Sequence, residues 1–141
     1  AALEEYEPTN HRSQFKRTER NDLIIDAYNA NPTSMKAALE FFSSIPSSLP
    51  KTVILGEMKE LGESSEDEHE KMVEFLKKQP YDKIYLVGPF FSKWIVENDT
   101  FRLFDNVEVL IETLKKEPVS NRYILLKGSH SVHLEKVVDS L

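Results

Sequence analysis

In the stretch Leu23–Phe42, LIIDAYNANPTSMKAALEFF, an apolar run ends in a carboxylate (Asp26), a phenol (Tyr28) and two amides (Asn29 and Asn31), and a helical pattern follows at once. Polar groups gathered where a strand meets a helix N-terminus suit ligand binding, because open α/β sheets bind ligands just beyond the carboxyl ends of their strands. A plainer role stands beside this one: Asn31 before Pro32 is a good N-cap with proline at the first helical position, and Asp26 can simply fix a turn. Lys127-Gly128-Ser129-His130 forms a second cluster, in which an ammonium, backbone N–H groups and the dipole of a following helix are suited to a carboxylate or phosphate. Ser129 or Ser131 acting as a cap, with Lys127 as a solvated strand end, explains the same residues without a ligand. The third cluster, Gly56-Glu-Met-Lys-Glu-Leu-Gly62, carries two carboxylates. Glu57 is the better ligand of the two because it lies nearer the strand end, and Ser64-Ser65-Glu66-Asp67-Glu68 reads as the capped, acidic start of the next helix.

These clusters are positioned by elements that the hydrophobic pattern spells out. Leu23–Ile25, Thr52–Leu55, Lys83–Val87, Phe101–Phe104 and Tyr123–Leu126 are short apolar runs of strand character. They alternate with helical stripes at Met35/Ala38/Leu39/Phe42, Met72/Val73/Leu76, Phe91/Trp94/Ile95, Val107/Leu110/Ile111/Leu114 and Leu134/Val137/Val138/Leu141. The alternation predicts an α/β domain with a mostly parallel sheet of about six strands and helices on both faces. The polar segment Arg12–Thr18, separated from Leu23 by a turn, predicts a hairpin that adds an antiparallel edge strand near the N-terminus. Three of the four glycines, Gly56, Gly88 and Gly128, come directly after an apolar run and mark one edge of the sheet. The Asp26, Glu57 and Lys127 clusters are therefore predicted to share that rim. His69 falls on the apolar stripe of its helix, which predicts a buried structural side chain orienting the preceding loop. His133 has no evident partner.

Composition narrows the functions. With 24 acidic and 18 basic residues the net charge is -6 and the cations are scattered, which disfavours nucleic acid as a partner. There is no cysteine for a disulfide or thiolate metal site, the four histidines lack HExxH spacing, and no metal site is predicted. No apolar run is long enough to span a membrane, so membrane partners are not expected and a cytoplasmic protein is. Neither GxxxxGK[ST] nor GxGxxG occurs, so the chain lacks both familiar phosphate cradles.

Taken together, Pro8-Thr-Asn-His-Arg12, Asp26-Ala-Tyr-Asn-Ala-Asn-Pro-Thr-Ser-Met35, Leu55-Gly-Glu-Met-Lys-Glu-Leu-Gly62 with His69 after it, and Lys127-Gly-Ser129 resemble the C-terminal domain of the Mur ligases over essentially the whole chain. The resemblance implies a Rossmann-like single domain, residues 1-141, cut from a three-domain enzyme, with residues 1-12 belonging to the interdomain hinge. The missing N-terminal and central domains would be its partners, the central one supplying the P-loop and most Mg2+ ligands. The YNANP form is similar to the family member that joins D-alanyl-D-alanine to UDP-MurNAc-tripeptide through an acyl phosphate, an ATP-dependent acid–amino-acid ligation of peptidoglycan precursor synthesis. By similarity, Arg12 would reach the ATP phosphates, Asp26, Asn29 and Asn31 would contact adenosine, and Tyr28 would lie against the same ligand. The dipeptide would meet Glu57 and the turn Lys127, Gly128, Ser129 and His130. His130 stands where many relatives carry Arg, and a neutral His is a poorer carboxylate partner. ATP and Mg2+ would serve the full-length enzyme, with the fragment alone binding neither tightly and catalysing nothing. Two other classes remain open: a receiver-like signalling module, which the apolar Leu86-Val87-Gly88 end of the third apolar run leaves without its phosphoacceptor Asp, and a non-catalytic doubly wound binding module.

Overall fold

The computed structural model describes residues 14–26, 31–58, 65–95, 97–128 and 132–141. Its frame is a six-stranded sheet in the order β1-β2-β6-β3-β4-β5. The strands are β1 (Gln14–Arg17), β2 (Asp22–Asp26), β3 (Lys51–Gly56), β4 (Lys83–Val87), β5 (Phe101–Phe104) and β6 (Tyr123–Lys127). Only β1 is antiparallel, hairpinned to β2 as predicted; β2, β6, β3, β4 and β5 run parallel. The mostly parallel sheet with its antiparallel edge is the architecture that the alternating pattern implies.

Period-two alternation divides each central strand between two cores. Ile24, Val53, Leu55, Ile84, Leu86, Tyr123 and Leu125 join one core with α1 (Pro32–Ser44) and α2 (Ser65–Lys77). Leu23, Ile54, Tyr85, Val87, Ile124 and Leu126 join the other with α3 (Val107–Lys116). Burial on both faces is why these strands read as continuous apolar runs rather than as alternating ones. Each helix lays its stripe on the sheet: Met35, Leu39 and Phe42 from α1, Val107, Leu110 and Leu114 from α3.

Helix starts follow local chemistry. Asn31 Oδ1 accepts the Ser34 N–H at 2.9 Å while the Asn31 N–H donates to Ser34 Oγ at 3.1 Å, a reciprocal cap with Pro32 at the first helical position. Asn106 caps α3 by accepting the Val109 N–H at 3.0 Å.

Two predicted helical stripes form 3-10 helices instead. Phe91 belongs to Pro89–Lys93, five residues flanked by Gly88 with φ 124 and by Trp94. The C-terminal stripe belongs to Leu134–Ser140, which begins after His133 has taken the left-handed conformation at φ 61. His133 serves as the N-cap residue of that helix, which starts at Leu134. Its i→i+3 bonds, Lys136 N–H to His133 O and Leu141 N–H to Val138 O, set Leu134 and Val137 on one side, against α3 and the sheet.

Candidate functional site

Parallel pairing brings the three predicted clusters to one rim. Register sets Asp26 opposite Lys127, Lys127 opposite Leu55, and Gly56 opposite Val87, so the carboxyl ends of β2, β6, β3 and β4 lie in a row. The row is tight: a Cβ on Gly128 would come within 2.9 Å of Gly56 Cα, so the backbones after β6 and β3 nearly touch there.

Asp26 and Lys127 meet directly, with Lys127 Nζ 2.9 Å from Asp26 Oδ2 and side-chain exposures of 2% and 9% for the lysine and the aspartate. Lys127 is thus not a solvated strand end but half of a buried ion pair. Sequence reasoning sent the two residues to different ligands; their pairing depends on β2 and β6 being neighbours although a hundred residues of chain separate them, and no local signal carries that. Asp26 Oδ1 is buried and has no hydrogen-bond partner among the described residues.

On the other side of β3, Glu57 is buried and its Oε2 accepts the Phe90 N–H at 2.6 Å, while its own N–H donates to Val87 O at 3.1 Å. Gly88 makes this possible twice over: its φ of 124 is open to glycine, and a Cβ there would fall 2.1 Å from Glu57 Cγ. His69, fully buried, comes up from α2 and accepts the Met58 N–H on Nε2 at 3.0 Å, which places the proton of the neutral ring on Nδ1.

Between these loops and the second 3-10 helix lies an open cleft of about 520 Å³. Its lining includes Glu57, Gly88 and Phe90 from the loops after β3 and β4, Asp105 and Glu108 at the start of α3, and His133 and Lys136 at the second 3-10 helix. The last four, together with Val132, were not predicted. They come from segments whose charges look like ordinary surface, and Asp105, Glu108 and Lys136 remain exposed in the fold, so only the cleft they share sets them apart. His133 Nδ1 also lies 3.2 Å from Glu135 Oε1. Of the other predicted site residues, Asn31 spends its side-chain oxygen on the α1 cap, and Arg12, Tyr28, Asn29, Ser129 and His130 lie outside the described residues. No group of three or more metal-ligating side chains occurs among the described residues, and none of their helices is long and apolar enough to cross a membrane.

A doubly covered, mostly parallel sheet with charged side chains gathered at its carboxyl rim defines an α/β domain of Rossmann-like build, the kind that binds ligands at that rim. Comparison with known proteins narrows the class. The family described as Mur ligase, glutamate ligase domain, matches residues 11–130, and the chain belongs to that family. It is 38% identical over 135 residues to the UDP-N-acetylmuramoyl-tripeptide--D-alanyl-D-alanine ligase of Rickettsia prowazekii, an alignment that covers 93% of this chain and 30% of that enzyme. Among solved structures, MurF from Acinetobacter baumannii superposes with a TM-score of 0.76 at 30% identity, covering 99% of this chain and 31% of that one. MurF from Thermotoga maritima, solved in complex with ADP, gives 0.72 at 27% identity, covering 92% and 30%. The chain thus spans about 30% of the length of the relatives it matches.

Proposed function

We propose that this chain is the C-terminal domain of a cytoplasmic, ATP-dependent ligase that joins D-alanyl-D-alanine to UDP-MurNAc-tripeptide through an acyl phosphate. The observation that carries the reading is the adjacency, on one rim, of the Asp26–Lys127 pair and the Glu57-lined cleft. One end of that rim suits a nucleoside and the other an amino component. Asp26 Oδ1, a buried acceptor without a donor among the described residues, fits a sugar hydroxyl, since an unsatisfied buried acceptor is costly and a ligand donor relieves it. ATP would supply the activation of the carboxylate, bound also by Arg12, Tyr28, Asn29 and Asn31, with Mg2+ held chiefly outside this domain.

The cleft suits a zwitterion. Glu57, Asp105 and Glu108 contribute carboxylates and Lys136 an ammonium to one lining, so a dipeptide with an amine at one end and a carboxylate at the other finds a partner for each charge. Lys127, Gly128, Ser129 and His130 would complete the carboxylate side. Lys127 is already held by Asp26, so its charge is shared between pair and substrate rather than given wholly to either. The work of these residues is positioning: an amine fixed near an activated carbonyl needs little further help, because holding two reactants in place removes most of the entropic barrier. Domain closure then brings the two reactants together, which this domain alone has no means to do.

The test compares the full-length ligase with the isolated chain, each given ATP, UDP-MurNAc-tripeptide and D-alanyl-D-alanine, with phosphate release and the ligated product followed together. The full-length enzyme is expected to form product and the isolated chain neither to form it nor to hydrolyse ATP. Ligation by the isolated chain, or refusal of the dipeptide by the full-length enzyme, would refute the reading.

A further inference from the structure

We propose that His69 is a positioning residue for the amino component, acting through Glu57 and Phe90 without touching the substrate; the proposal rests on the reading of the Glu57 cleft given above. Four residues close a circuit. His69 Nε2 takes the Met58 N–H at 3.0 Å, and Met58 follows Glu57 in the chain. Glu57 Oε2 takes the Phe90 N–H at 2.6 Å. The Phe90 ring returns to His69, stacked at 5.2 Å with 25° between the planes, while Phe91 meets the same imidazole edge-on at 5.1 Å. The loop after β3 and the turn after β4 are therefore fixed to each other by a side chain from α2.

The placement separates this role from ordinary packing. Glu57 and Phe90 line the cleft and His69 does not. Its imidazole is fully buried between two phenyl rings, a setting that an apolar side chain would fill as well and without desolvating a polar one. What an apolar side chain lacks is the imidazole's hydrogen-bonding capacity, the acceptor for Met58 N–H included. Without it, the backbone at Met58 has to seek another partner and carries Glu57 with it. The Asp26–Lys127 end of the rim lies across β3 and forms no part of the circuit, so a disturbance at His69 reaches the amine side of the site selectively.

The test uses the full-length ligase and begins with the parent enzyme, whose failure to ligate D-alanyl-D-alanine would overturn the functional reading before any variant is compared. In His69→Gln, Oε1 reaches about as far as Nε2 and keeps the acceptor; in His69→Leu the bulk stays and the acceptor goes. His69→Leu is expected to raise the dipeptide KM about tenfold, equivalent to about 1.4 kcal/mol, with kcat and the KM for ATP within about threefold of the parent on the same scale. His69→Gln is expected to restore the dipeptide KM to within that same margin. If His69→Leu does not fold, His69→Asn takes its place with the same expectation, because its shorter amide falls short of Met58 N–H. Equal dipeptide KM values in the acceptor-keeping and acceptor-lacking variants, or an ATP KM that rises in step, would overturn the proposal.

Discussion

Replacing Lys127 with Met tests the buried ion pair most directly. Met keeps much of the lysine's length and removes the ammonium that sits 2.9 Å from Asp26 Oδ2. The Asp26 carboxylate, with 9% side-chain exposure and Oδ1 already unpartnered, is then left to bear its charge in a nearly dry site. Breaking a buried pair by removing one partner costs about 3–5 kcal/mol, most of it the desolvation of the survivor. For a domain of this size that corresponds to a fall in Tm of about 10–17 °C. The converse follows from the same physics: Asp26→Leu with Lys127→Met leaves no stranded charge and should return stability to within about 1 kcal/mol of the parent, or exceed it. Urea unfolding followed by circular dichroism, on the parent, both single variants and the double, gives the coupling energy directly. A cost below about 1 kcal/mol for Lys127→Met, the range of exposed pairs, would refute the buried pair. A double variant no more stable than the worse single one would refute the argument that stranded charge is the cause.

Asn21→Ala should be the most damaging change at the opposite end of the sheet, where Asn21 Nδ2 donates to Val119 O and Leu141 O and Oδ1 accepts the Arg122 N–H. At about 1 kcal/mol per buried hydrogen bond, a loss of about 2–4 kcal/mol is expected in the same urea experiment, and less than about 0.5 kcal/mol would show that these bonds are not made. Alkaline pH should destabilise the fold through Tyr85, whose phenol is held above its ordinary 10.0 chiefly by burial, with Arg102 opposing and Glu117 adding to the rise. A raised folded value favours the neutral form, so the contribution is complete below pH 10.0 and is lost as pH climbs towards the raised value. Tyr85→Phe removes that dependence. The stability of the parent minus that of Tyr85→Phe should therefore fall as pH rises past 10.0, and a flat difference would count against the burial.

The division between what the chain spells out and what it conceals follows from the range of the interactions. Strands buried on both faces need apolar side chains at every position, so LIID, TVILG, KIYLV and YILLK are legible without partners. The α1 cap is equally local, since Asn31 and Ser34 satisfy each other across three residues. The 3-10 helices are not legible in the stripes because i, i+3 spacing suits either helix, and Gly88 at φ 124 and His133 at φ 61 are backbone choices that hydropathy does not record. Strand order lies furthest from local reading. Nothing near Asp26 announces that its partner is Lys127, since that follows only once β6 slips between β2 and β3.

That insertion also shapes the chemistry of the rim. With β6 central, its terminal cation is buried by strands on both sides and would be too costly to keep charged without the Asp26 carboxylate beside it. The polar groups of the described rim mostly satisfy one another: Lys127 with Asp26, Glu57 with the Phe90 N–H, His69 with the Met58 N–H. A site arranged this way spends little on ordering its own side chains when a ligand arrives, because their rotamers are fixed beforehand. Under the nucleotide reading proposed above, Asp26 Oδ1, which has no hydrogen-bond partner among the described residues, is the place where a ligand donor would contribute most, because a buried acceptor is costly to leave unmatched. A nucleoside hydroxyl bound there would strengthen the fold as well as fill the site, so the Lys127→Met variant should lose nucleotide affinity in the full-length enzyme together with its stability, through the displaced Asp26 carboxylate.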